Sequence, residues 1–176
     1  MTNQPEAESS LFTHAISATE ILIKKINADE LTEDEIKQAV SSLLNTKSRA
    51  RGFFATYLTS DLFIADNPSQ GIIDGLNISI NLSSKLLVQN FAMSLAMVVH
   101  HTRSNNLNNA ENSKRVVRRT RDLIQKVNSS QLQQELEKLR NTINRGNGKY
   151  QAFLERWGYD AEQKKAIKAA VSNIIK

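Results

Sequence analysis

The sequence contains no cysteine, which removes thiol nucleophiles, zinc fingers, iron–sulfur clusters and disulfide frameworks from consideration. Its 2 prolines and 6 glycines are too few for a collagen-like or low-complexity chain. The first ten residues, Met1 to Ser10, are polar and acidic and lack both the basic start and the apolar core of a secretory signal, so the expected setting is cytoplasmic. No transmembrane segment is expected, because a span needs about 20 consecutive apolar residues. The most apolar stretch, residues 82–102, is broken by Gln89, Asn90 and Ser94 and reads as too short and too polar. Strand-like alternation is confined to Ile78 through Leu82, and no second strand is available to pair with it.

What the chain does contain is helical rhythm. With 176 residues it can bury roughly 70% of its unfolded surface without a staple. Residues 1–10 read as a mobile tail, and helix one follows over 11–27, carried by Phe12, Ala15, Ile16, Thr19, Leu22, Ile23 and Ile26. Thr32 and Glu35 form a capping box for a helix over about 33–45 with Ile36, Ala39, Val40, Leu43 and Leu44 on one stripe. Phe53, Phe54, Tyr57, Leu58 and Leu62 mark a buried aromatic helix from Arg49 to Ala65, stopped by Asp66-Asn67-Pro68. Residues 69–82 are expected as a short helix and a turn. The asparagine-rich stretch Ser104 to Ser113 reads as a loop. Val116, Thr120, Leu123 and Val127 then repeat the spacing of Leu132, Leu136, Leu139 and Ile143, which predicts an antiparallel hairpin over 110–128 and 131–144. Tyr150, Phe153, Leu154 and Trp157 form an aromatic helix, and Asp160 with Gln163 caps a last one. The expected fold is therefore all-α: a single-domain bundle of seven or eight helices over 11–176, around the central apolar helix 82–102.

Charge is distributed unevenly. Residues 1–46 hold 3 Lys and 8 Asp/Glu, a net −5, whereas residues 47–176 hold 20 Lys/Arg and 10 Asp/Glu, a net +10. The sharpest concentration is Lys114, Arg115, Arg118, Arg119, Arg121 and Lys126, opposed within 114–126 by Asp122 alone. Such a helical face can bind phosphates, an anionic surface or an acidic protein segment, or it can simply be solvated. It carries no stacking aromatic and no recognition motif, which argues against nucleic acid.

Other candidates have ordinary explanations. His100 and His101 are adjacent, so their rings diverge by about 100° on a helix and do not make the four-apart metal pair. They suit a helix C-terminus, where cations complement the dipole. Gly146-Asn147-Gly148-Lys149 departs from the phosphate-loop pattern and reads as a helix C-cap. Asp29, Glu30, Glu33, Asp34 and Glu35 could be an acidic docking patch or a weak cation site, but acids at the start of helix two already oppose its dipole.

Arg51 to Thr59 (RGFFATYLT) and Tyr150 to Asp160 (YQAFLERWGYD) resemble segments of an uncharacterised family of small cyanobacterial proteins. The resemblance implies a cytoplasmic all-α protein and supplies no activity or site residue.

No catalytic, cofactor-binding or metal-binding residue is expected. The reading is a non-enzymatic interaction or regulatory protein that uses the basic face toward an acidic protein partner or a second copy of the chain. Nucleic-acid binding through the same face is the alternative, and an enzyme with an unrecognised polar cleft is the third reading.

Overall fold

A computed structural model of the protein describes residues 4–175, which form nine α-helices and one 3-10 turn, with no strand among them. The all-α expectation holds. The chain clusters into two compact units, Met1–Leu86 and Leu87–Lys176. Each unit gathers its own set of buried apolar side chains.

In the first unit, α1 (Gln4–Asn27) packs against α3 (Lys47–Thr59), and α2 (Glu33–Leu43) packs against α4 (Gln70–Ile78). Helix α1 begins at Gln4, so residues 4–10, expected in the mobile tail, are helical, and residues 6–10 are exposed; Met1 to Asn3 lie outside the described residues. Residues 6–10 bury nothing, in keeping with their lack of apolar periodicity. Two glycines permit the close approaches. A Cβ at Gly52 would stand 2.7 Å from the Phe12 carbonyl oxygen of α1, and one at Gly75 would stand 2.7 Å from the Val40 Cβ of α2.

Helix α3 ends at Thr59 rather than at Ala65. Ser60 is extended, its hydroxyl accepts the Leu62 N–H at 3.1 Å, and the Tyr57 hydroxyl donates to the Ile64 carbonyl at 2.8 Å. These local hydrogen bonds outcompete the helix and leave a 3-10 turn at Phe63–Ala65. Residues 69–82 divide at Ser79: α4 ends at Ile78, and α5 (Ile80–Arg103) starts two residues before the expected 82.

By length and composition α5, at 24 residues, is long and apolar enough to cross a membrane, which corrects the expectation that it is too short. Its Leu86, Leu87, Val88, Phe91, Ala92 and Ala96 are buried, as in the core helix of a folded domain.

The second unit continues with α6 (Leu107–Val127), α7 (Ser130–Arg145), α8 (Gln151–Arg156) and α9 (Ala161–Ser172). Helix α6 starts inside the expected 104–113 loop. The Asn106 side chain caps it by accepting the Asn109 N–H at 3.3 Å, so the asparagines mark a helix start and an exposed first turn. The two helices of the expected hairpin are α6 and α7, linked by Asn128 in the left-handed region (φ 42°) and by Ser129, which caps α7. Gly146 is the left-handed C-cap of α7, as expected. Helix α9 begins at the capping box of Asp160 and Gln163, and the Gln163 amide donates to the Ala96 carbonyl of α5 at 3.1 Å.

Trp157 departs from the expected inward aromatic face and is 51% exposed. Helix α8 ends before it, Gly158 (φ 60°) turns the chain, and buried Tyr159 takes the inward place, its ring 6.1 Å from that of Phe153.

Candidate functional site

All six cations of the candidate face lie on α6, whose other side buries Ala110, Val117, Thr120, Leu123, Ile124 and Val127. At about 100° per residue, Lys114, Arg118 and Arg121 fall within about 60° of one another as an exposed row at i, i+4 and i+7. Glu111 and the half-buried Asp122 run along one flank of this row, and buried Val117 and Ala110 along the other. Half-buried Arg115 and exposed Lys126 lie beyond the acidic flank.

Arg119 is 3% exposed and belongs to the interior. The even basic face expected from the sequence is thus a three-cation row with two outliers and one buried guanidinium. Arg119 escaped sequence reasoning because it sits at the edge of the apolar arc, next to Val116 and Leu123, where one further step about the helix axis changes solvent for core.

The row has its own internal contacts. Lys114 pairs with Glu111 at 2.7 Å, one turn earlier on the exposed surface. The Arg121 guanidinium stands 5.9 Å from the centre of the Phe91 ring of α5, within the range of a cation–π contact. Phe91 is fully buried, whereas Arg121 itself remains exposed.

Other groups flagged by the sequence are spread through the fold. His100 and His101 lie in the last turn of α5, with ring centres 5.3 Å apart in edge-to-face arrangement. The acids that open α2 are largely engaged in holding the fold. Glu35 completes the capping box with Thr32, Asp34 pairs with Lys37, and Glu33 accepts the Gly71 N–H. No group of three or more His, Asp or Glu side chains is placed to hold a metal among the described residues.

The polar cluster that sequence reasoning missed is at Glu135 of α7. Its side chain is 5% exposed and accepts from Lys149 Nζ at 2.6 Å, Lys138 Nζ at 2.9 Å and Tyr150 Oη at 2.8 Å. Burial pushes the carboxyl up, but the hydrogen bonds from Lys149, Lys138 and Tyr150 outweigh it and hold the group below its ordinary value. Burial and then the Glu135 carboxylate push the Tyr150 hydroxyl well up. The signal in the sequence was an acid at an inward position, between Leu132 and Leu139. The cluster ties the loop after α7 to that helix, with Tyr150 1% exposed and Lys138 and Lys149 reaching solvent at its rim. A small open cleft nearby is lined by Thr142, Gln151, Glu155 and Lys164 among others, and Gln151 and Glu155 are already hydrogen-bonded to each other at 2.8 Å.

Fold and site together define an all-α protein with a row of cations on one helix and a buried carboxylate cluster on the next. The chain belongs to the family described as Uncharacterised conserved protein UCP020893, whose model matches residues 11–174. No curated protein and no solved structure matches it.

Proposed function

We propose that this protein is a non-enzymatic interaction module that docks an acidic protein partner on the exposed cation row of α6. The observation that carries this reading is the row itself: Lys114, Arg118 and Arg121 share one narrow stripe on a helix whose opposite side is committed to the core. The surroundings reinforce it. Residues 87–176 hold 16 Lys/Arg and 7 Asp/Glu, a net +9, whereas residues 1–86 hold 7 and 11, a net −4. A positive unit attracts anionic partners over a distance, and the row gives them a place to settle.

Nucleic-acid binding is the second reading, supported by the same +9. Two features of the row disfavour it. No aromatic side chain interleaves the cations, and Glu111 and Asp122 present negative charge where a phosphate backbone would run.

The test compares the protein with a K114A/R118A/R121A variant against polyglutamate and against duplex and single-stranded DNA at about 150 mM salt. Polyglutamate binding that the variant loses supports the proposal. Sub-micromolar binding of DNA, with polyglutamate inert, overturns it in favour of the second reading. Arg119 is left intact, because its substitution would probe folding.

A further inference from the structure

We propose that the partner of the α6 row is a helix of a different protein that carries acidic residues at i, i+4 and i+7; this rests on the reading of α6 as the docking site and names the ligand. Three observations converge on it.

The first is shape. Over seven residues the row extends about 10.5 Å along the helix axis at 1.5 Å per residue. It is one side chain wide, because Glu111 and Asp122 close one flank and the buried arc closes the other. A broad polyanionic surface meets those two carboxylates as well as the cations. A second helix laid along α6 with a single acidic row sets its carboxylates against Lys114, Arg118 and Arg121, sharing Lys114 with Glu111, since residues three and four apart on a helix share one face.

The second is order. The Arg121 guanidinium lies 5.9 Å from the centre of the Phe91 ring, within cation–π range, which favours one placement for the end of the row. A guanidinium presents a planar fork of N–H donors, which suits a carboxylate at a matching position. An oriented receptor loses less side-chain freedom on docking, and it gains most from a ligand that is ordered too.

The third concerns the source of the acidic row. The chain's own helices do not provide it. Helix α1 has Glu6, Glu8 and Glu20 among its exposed residues, and the acids of α2 are the consecutive Glu33, Asp34 and Glu35. No helix in the described residues holds acidic residues at i and i+4. Among the described helices a second copy thus offers no complementary element, and the ligand comes from another protein.

The experiment uses the full chain and two helical peptides of identical composition. One places three Glu at i, i+4 and i+7; the other distributes the same three Glu around the helix. Titration by fluorescence anisotropy at about 150 mM salt is expected to show the aligned peptide binding about tenfold tighter, the order that three exposed ion pairs supply. Arg121→Ala is expected to erase most of that difference, and Arg121→Lys, which keeps charge without the planar fork, to restore only part of it. Equal affinity for the two peptides overturns the aligned-helix inference and leaves the docking reading standing. Binding of neither peptide, together with no binding of polyglutamate, overturns both. Light scattering that shows the chain pairing with itself, with loss of that pairing in K114A/R118A/R121A, overturns the assignment of the row to a different protein.

Discussion

The hydroxyl of Tyr150 donates to the carboxylate of Glu135 at 2.8 Å, joining the first residue after a glycine-containing loop to the middle of α7. Both side chains are withdrawn from solvent, and Lys149 and Lys138 supply the charge that a buried carboxylate requires. Tyr150→Phe removes one donor and leaves the acceptor less satisfied. It is expected to destabilise the protein by about 1–3 kcal/mol, read as a lower urea midpoint with an unchanged slope. An unchanged midpoint would mean that the two lysines suffice.

The same carboxylate sets an acid dependence. The Lys149, Lys138 and Tyr150 hydrogen bonds hold Glu135 below its ordinary value of 4.5 against the upward push of burial. A carboxyl depressed in the folded state adds stability above its unfolded value, and that contribution disappears as pH falls through the folded value. Stability is therefore expected to decline below about pH 5, with a shallower decline in Glu135→Gln, whose amide does not titrate. Superimposable acid limbs in urea titrations at several pH values would remove Glu135 from this role.

Periodicity carried most of the fold into the sequence. Ile36, Val40 and Leu43 are buried at the expected spacing, as are Leu132, Leu136 and Leu139, and the capping boxes at Thr32 and Asp160 form as read. Competition between local hydrogen bonds was less legible. Ser60 stops α3 early, and Asn106 starts α6 where a run of asparagines suggested a loop. The site was legible in composition and illegible in geometry. Arg119 and Arg118 are neighbours in sequence, yet one is buried and the other exposed, because adjacent positions on a helix lie about 100° apart. Glu135 gave little warning, because the groups that stabilise it include Lys149 and Tyr150, 14 and 15 residues away across a loop.

Asp160 serves two purposes that substitution can separate. Its side chain caps α9 by accepting the Gln163 N–H at 2.9 Å, and its other oxygen accepts from Arg103 at 2.7 Å. The ion pair is exposed and contributes little. Asp160→Asn keeps a capping side chain and is expected to change stability by less than about 0.5 kcal/mol, whereas Asp160→Ala should cost about 1 kcal/mol. Equal losses in thermal melts would place the weight on the ion pair.

Gly75→Ala tests the packing of α4 on α2. Its new methyl would stand 2.7 Å from Val40 Cβ, and Val40 is fully buried, so the two helices must move apart. A loss of about 1–3 kcal/mol is expected by chemical denaturation. A gain in stability, as an exposed helical Gly→Ala would give, would show that the contact yields.

Charge reversal of the α6 row addresses the docking reading most directly. K114E/R118E/R121E leaves the buried side of α6 and the Arg119 guanidinium untouched, so helicity by circular dichroism should persist. Titrated with matched peptides bearing Glu or Lys at i, i+4 and i+7, the natural protein is expected to bind the Glu peptide and the variant the Lys peptide. A variant that keeps the natural preference, with its fold intact, would contradict the assignment of this row as the docking site.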